Sequence, residues 1–241
     1  MPFANGQFTC DAVIFDLDGT LIDSTDVYLR ILNVAFERLS LPLFSKEDIL
    51  DLLIEGDFDW NKILPPDLKG RREEIIKKAM EIIREIYPQM FREEVKLIPG
   101  AADILREISM GDMKIGLVTS TDARNLAPKL HPLRASEVEN LLQVIITTDK
   151  IPNKKPSADP LIECGKRLCV EMERIVYVGD SRVDIRAGKA ARTMTVGVLT
   201  GVDDYEALRA ENPDAILDSV VALREILPAL KQATLSLADK V

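Results

Sequence analysis

The chain has 241 residues, 46% hydrophobic and 29% charged, the make-up of a globular protein with material for a large core. Its net charge of −9 argues against nonspecific nucleic-acid binding, which needs a basic face, and would repel an anionic ligand unless a local cation or lysine offset it. His131 is the only histidine and precedes Pro132, where it reads as a surface residue, so neither a phosphohistidine nor a Ser-His-Asp triad is expected.

The first element is Ala12-Val13-Ile14-Phe15, apolar at every position and therefore read as a parallel strand buried on both faces. Asp16-Leu17-Asp18-Gly19-Thr20 follows it directly. Acids at i and i+2 share one side of an extended chain. Ionised together in a low-dielectric site they repel until a cation or a shared proton reconciles them. A magnesium-dependent site with an aspartate nucleophile meets that demand; a solvated Asp-Gly turn is the plainer alternative for these residues alone.

Residues 24–95 then read as helix upon helix. Ser24 to Leu39 carries Val27, Leu29, Ile31, Leu32, Val34, Ala35 and Phe36; Lys46 to Ile54 follows a Ser45 cap and stops near Gly56. Pro65 and Pro66 break the chain before a helix from Arg71 to Tyr87, with Ile75, Ile76, Ala79, Ile82, Ile83 and Ile86 at helical spacing. From Leu97 the pattern alternates. Helix Ala101 to Ile108 precedes strand Lys114 to Thr119 and a helix near Arg124 to Leu130. Strand Val144 to Thr147, helix Ala158 to Leu168, strand Arg174 to Val178 and helix Val183 to Ala191 come next. Strands Thr193 to Val198 and Ala215 to Leu217 and a helix after Asp218 complete the chain.

Such alternation predicts an α/β fold with a doubly wound parallel sheet and helices on both faces. The expected division is a core of residues 1–22 and 96–241, with an all-helical cap domain, 23–95, inserted after the first strand. Ligands of open α/β sheets bind at the carboxyl ends of the strands. Four segments fall there: Asp16 with Asp18, Thr119 with Ser120, Lys155 before a helix, and Gly179-Asp180-Ser181 with Asp184. Singly they read as a helix N-cap, an exposed loop or a tight turn; four on one edge of one sheet are a poor coincidence.

This order of segments resembles the haloacid dehalogenase-like superfamily, and within it the small-molecule phosphatases of the phosphoglycolate phosphatase and beta-phosphoglucomutase branch, with a Rossmann-like core and a helical cap. The resemblance implies a cytoplasmic, magnesium-dependent phosphatase that hydrolyses a small phosphomonoester through an aspartyl phosphate. By position, Asp16 resembles the nucleophile and Asp18 the acid and base. Asp16, the backbone carbonyl of Asp18 and Asp180 resemble the magnesium ligands. Thr119, the Ser120 backbone N–H and Lys155 resemble the phosphate-binding groups, and Asp184 the residue behind them that orients waters or Lys155. Lys154 is a rival to Lys155; alignment on Pro156 favours Lys155. Ala190-Ala191-Arg192 lacks a glycine common in relatives, and Leu130 to Leu142 departs from their pattern.

A phosphosugar mutase shares every core residue, and a noncatalytic metabolite- or partner-binding member keeps the same fold. Dehalogenases need no acid at Asp18, and the cap lysines Lys46 and Lys62 lack a pattern that would support phosphonate chemistry. The cap loop Glu55-Gly56-Asp57-Phe58-Asp59-Trp60 is expected to face the site or to pack within the cap, and Arg71 and Arg72 to line a solvated helix start. The partner expected is a small phosphorylated metabolite, with no nucleic acid and no membrane, on a monomer or homodimer. Cys10, Cys164 and Cys169 form no CxxC pair and are expected as buried free thiols. No apolar stretch nears about 18 residues and no signal-like leader is read, consistent with the cytoplasm.

Overall fold

A computed structural model describes residues 9–48, 60–65, 68 and 70–227. Strands β1 (Ala12–Phe15), β4 (Lys114–Thr119), β5 (Val144–Thr147), β6 (Ile175–Gly179), β7 (Met194–Val198) and β8 (Ala215–Leu217) form one sheet. Their spatial order is β5-β4-β1-β6-β7-β8, and every pairing is parallel. β1 lies at the centre, with Phe15 opposite Leu117 on one side and Val178 on the other. All four β1 residues are fully buried, as the unbroken apolar run requires. Side chains alternate across the pleat: Val13, Phe15, Val176 and Val178 join one apolar layer, while Ala12, Ile14, Ile175 and Tyr177 join the other.

Helices α1 (Thr25–Arg38), α2 (Trp60–Ile63) and α3 (Arg72–Glu94) lie between β1 and the remaining core strands in sequence. A two-stranded antiparallel ribbon joins them to the sheet: β2 (Ile22–Asp23) pairs with β3 (Lys96–Leu97), Ile22 opposite Leu97. Such short strands carry too few residues to show a period of two, so the sequence shows neither. Past this ribbon the chain continues through α4 (Ala101–Met110), α5 (Ala123–Lys129), α6 (His131–Ala135), α7 (Asp159–Leu168), α8 (Arg182–Ala190) and α9 (Tyr205–Ala210). The core strands sit at the predicted positions to within a residue.

Three differences from the sequence reading are instructive. α3 was expected to end at Tyr87 but runs through Pro88 to Glu94. The loss of one donor at Pro88 is offset because the extra turns bury Phe91, which meets Tyr28 edge-on at 5.1 Å between ring centroids. α9 was not anticipated; six residues with one buried position, Leu208, carry little periodicity. Cys169 is exposed rather than buried, because it takes the left-handed position that ends α7, at φ 55°. Cys10 and Cys164 are buried free thiols, and burial pushes both up to about 12. Among the described residues no helix is long and apolar enough to cross a membrane.

The apolar layer on one sheet face continues into the base of the helical insert through Val27, Ile31, Tyr87 and Phe91. A separate small cluster of Phe36, Leu64 and Ile75 holds the outer part of the insert together. The base of the insert is thus anchored in the same core as β1, close to where that strand ends.

Candidate active site

Asp16 is the first residue beyond β1, and its backbone N–H still donates to Val178 O at 2.9 Å, so the sheet fixes its position. The chain then turns sharply. Gly19 sits at φ 73°, its N–H donates to Ile22 O at 2.8 Å, and Ile22 N–H donates back to Leu17 O at 3.0 Å. A Cβ on Gly19 would lie 2.4 Å from Asp180 Oδ2, so both the dihedral and the close approach demand glycine. The chain turns here instead of staying extended, and Asp16 and Asp18 take different lysines, Lys155 and Lys129, while the Asp18 charge still pushes on Asp16.

Asp16 joins Asp180 and Asp184, one oxygen from each lying within 4.8 Å of the others. All three are buried. Asp180 follows β6 and accepts Val202 N–H at 2.9 Å and the Thr20 hydroxyl at 3.3 Å. Asp184 closes a capping box at the start of α8: Ser181 and Asp184 exchange side-chain and backbone bonds. The Gly-Asp-Ser-x-x-Asp run is therefore a helix start that also carries two acids into the site.

Lys155 lies among these acids with its side chain 5% exposed. Its Nζ donates to Asp16 Oδ1 at 2.6 Å, to Asp184 Oδ1 at 2.7 Å and to the Tyr177 hydroxyl at 3.2 Å. The rival Lys154 is exposed, and it is Lys155, the lysine that alignment on Pro156 favours, that meets the acids. Burial pushes the Asp16 carboxyl up from 3.8 to about 7, against the pull of Lys155 and with a push from Asp184 and Asp18. Asp180 is driven well above the usual carboxylate range by burial and then by Asp184 and Asp16. For Asp184 burial acts upward too, but Lys155, Ser181 and Tyr177 together hold it below its ordinary value. Burial alone would lower Lys155, yet its two acidic neighbours hold it well above the usual lysine range.

Three buried carboxylates beside one ammonium leave an excess of negative charge that the described side chains do not cancel. An all-oxygen donor set of this kind suits a hard divalent cation such as magnesium. The cradle is also shaped for it: a Cβ on Gly201 would lie 1.8 Å from Asp180 Oδ2, so only bare backbone can pass there. Asp16 and Asp180, with the Asp18 backbone carbonyl, would hold such an ion. Asp184 is committed to Lys155, Ser181 and Tyr177.

Thr119 ends β4 and is buried, its Oγ1 accepting from Thr121 N–H at 3.1 Å, whereas Ser120 is exposed. The Asp18 carboxylate stands beside the acid cluster, near enough for its charge to push on Asp16, and is gripped by Lys129 and Thr121. Sequence reasoning missed Lys129, which falls in the apolar register Leu126, Leu130, Leu133; a lone lysine at such a position was the available signal. Tyr177 and the Gly201-Val202 loop were missed as well, and a tyrosine in a buried strand was the only hint of the former. Of the cap candidates, Trp60 begins α2 and packs against the outer cluster, and Arg72 donates to Pro65 O at 3.3 Å. Lys46 pairs with Asp26 at 2.8 Å on the surface, and Glu55 to Asp59 lie outside the described residues.

Comparison with known proteins agrees with this fold. The family model for haloacid dehalogenase-like hydrolases matches residues 13–198. A phosphoglycolate phosphatase of Salmonella choleraesuis is 32% identical over 236 residues, covering 90% of this chain and 91% of its own. One from Escherichia coli K12 is 31% identical over the same coverage. Among solved structures, a Haemophilus somnus chain described as a predicted phosphoglycolate phosphatase superposes with a TM-score of 0.80 at 22% identity, covering 90% of this chain and 97% of that one. CbbY from Rhodobacter sphaeroides, in complex with phosphate, gives 0.69 at 24% identity, with 88% and 95% covered; these two show the shared fold.

Proposed function

The chain belongs to the haloacid dehalogenase-like hydrolase family, and on that premise we propose that it is a magnesium-dependent phosphatase acting on small phosphomonoesters of the phosphoglycolate type. The observation that carries this reading is the buried Asp16 carboxylate at the carboxyl end of the central strand, held 2.6 Å from Lys155 within a cluster of three acids.

Asp16 attacks phosphorus through a carboxylate oxygen, the bond from phosphorus to the ester oxygen breaks, and the leaving alkoxide takes a proton from Asp18. Water then attacks the aspartyl phosphate, Asp18 accepts its proton, and inorganic phosphate leaves with Asp16 restored. Lys155 neutralises charge on Asp16 and on the phosphoryl oxygens, while Thr119 and the Ser120 N–H donate to those oxygens; phosphoryl transfer depends mainly on such positioning and charge stabilisation. Magnesium, when bound by Asp16, Asp180 and the Asp18 carbonyl, supplies positive charge that offsets the repulsion between phosphate and acids.

The test is phosphate release from phosphoglycolate, glycerol phosphates and sugar phosphates, with and without magnesium. Magnesium-dependent release that Asp16→Asn abolishes supports the reading. Isomerisation of glucose 1-phosphate without net release of phosphate, or no turnover across the panel, would overturn it.

A further inference from the structure

Lys129 takes no part in the steps above, yet it has no exposed surface and its ammonium sits on the acid–base residue. Its Nζ donates to Asp18 Oδ1 at 2.7 Å and Oδ2 at 2.6 Å, to Thr121 Oγ1 at 2.8 Å, and to the Tyr28 hydroxyl. It also lies 4.8 Å from the centre of the Tyr28 ring and 5.2 Å from that of Phe91. Tyr28 belongs to α1 and Phe91 to α3, so one ammonium touches the sheet side of the site and both long helices of the insert.

Burying an ammonium is costly unless close partners compensate it. A leucine or methionine at this position would pack against the same two rings with no such cost, since the neighbouring register of α5 is apolar. The charge is accounted for by what it holds. Thr121 Oγ1 donates to Asp18 Oδ2 at 3.2 Å, so Lys129 and Thr121 grip the same carboxylate, whose side chain keeps 28% of its surface open.

We propose that Lys129 is a positioning residue: it fixes the Asp18 carboxylate towards the phosphoryl site and, through Tyr28, makes that placement depend on the seating of the helical insert. This rests on the assignment of Asp18 to proton transfer. Asp18 is needed twice, to protonate a poor leaving group and to activate water. A p-nitrophenolate leaves with its electron pair and needs no proton. With p-nitrophenyl phosphate, misplacing Asp18 therefore spares formation of the aspartyl phosphate and slows only its hydrolysis.

The experiment compares wild type, Lys129→Met, Lys129→Arg and Tyr28→Phe with magnesium, using phosphoglycolate and p-nitrophenyl phosphate. Lys129→Met should lower kcat on phosphoglycolate by about 10²-fold, the scale of acid–base assistance, with KM within about threefold. On p-nitrophenyl phosphate it should release a burst of about one p-nitrophenolate per protein and then turn over slowly. Lys129→Arg should recover part of the loss, and Lys129→Met should add nothing in an Asp18→Ala background. Tyr28→Phe, which keeps the ring, should cost a few-fold and likewise add nothing there. A folded Lys129→Met protein with wild-type kcat and no burst overturns the inference, as does a further loss on top of Asp18→Ala. If Lys129→Met does not fold, Tyr28→Phe decides by the same double-mutant criterion. Inactivity of the wild type on both substrates would instead overturn the phosphatase reading, and this inference with it.

Discussion

Two buried lysines grip two aspartates two residues apart in sequence, and they do so in opposite surroundings. Lys155 lies on the floor of the site, among Asp16, Asp184 and the Tyr177 hydroxyl, all supplied by the sheet and the elements that follow it. Lys129 lies under the roof, between Asp18 and the aromatic rings of the helical insert. The floor is a charge problem, three acids against one ammonium. The roof is a packing problem, one ion pair embedded in an apolar seam. Perturbing each should therefore fail differently, the floor in chemistry and metal affinity, the roof in coupling between insert and core.

The largest effect is expected on the floor. Asp16→Asn should reduce kcat by roughly 10⁴-fold or more, as removal of a nucleophile does. The same variant should melt no lower than wild type, because it removes one of the mutually repelling buried carboxylates. Calorimetry beside the assay separates the two outcomes, and a large drop in melting temperature would mean that Asp16 is structural. Lys155→Met should abolish turnover and also destabilise the fold by about 3–5 kcal/mol, since it strands buried acids without their counter-charge. Denaturant titration measures that cost.

On the roof, Phe91→Ala should cost about 3–5 kcal/mol by opening a cavity where the insert meets the core. Its KM should rise along with any fall in kcat, in contrast to Asp16→Asn. Gly201→Ala is a smaller and more local test of the floor. The added methyl carbon would overlap the buried Asp180 side chain, so magnesium affinity should weaken by about tenfold and the metal-free protein should melt lower as well. Magnesium titration followed by thermal shift reads both.

The gentlest test is pH. Asp16 and Asp180 are raised in the folded protein, so the native state binds more protons than the unfolded chain between their ordinary range and their folded range. Stability of the metal-free protein should thus fall as pH rises from about 4 towards 7, the opposite of a protein held by salt-bridged carboxylates. Asp184, held low, contributes in the other direction only when pH falls through its folded range, below its ordinary 3.8. Added magnesium should raise the melting temperature more at pH 8 than at pH 5.5, because its ligands must be deprotonated. A melting temperature of the metal-free protein that climbs steadily from pH 4 to 7 would contradict the charge excess on the floor.

Much of the floor is legible in the sequence. Asp16, Asp180 and Lys155 each follow or precede an element whose periodicity is plain, and the apolar runs at β1, β4 and β6 place their ends on one edge. The roof was not legible. Lys129 and Tyr28 lie about a hundred residues apart, in helices whose sequences record only that one face is apolar. Nothing in either helix says which faces meet. The continuation of α3 past Pro88 was hidden for a related reason, since a proline argues locally for a stop and the burial that overrides it comes from Tyr28.

The order of strands and helices, the parallel sheet and the edge on which the acids gather follow from local pattern and topology, because buried strands must be apolar and crossovers are constrained in hand. Which acid turns to which cation was left to the tertiary structure. That choice depends on the turn at Gly19, on the loop at Gly201, and on the seating of the insert against the sheet. These are contacts between segments far apart in the chain, where desolvation and Coulomb attraction act through space and leave no periodic trace in sequence.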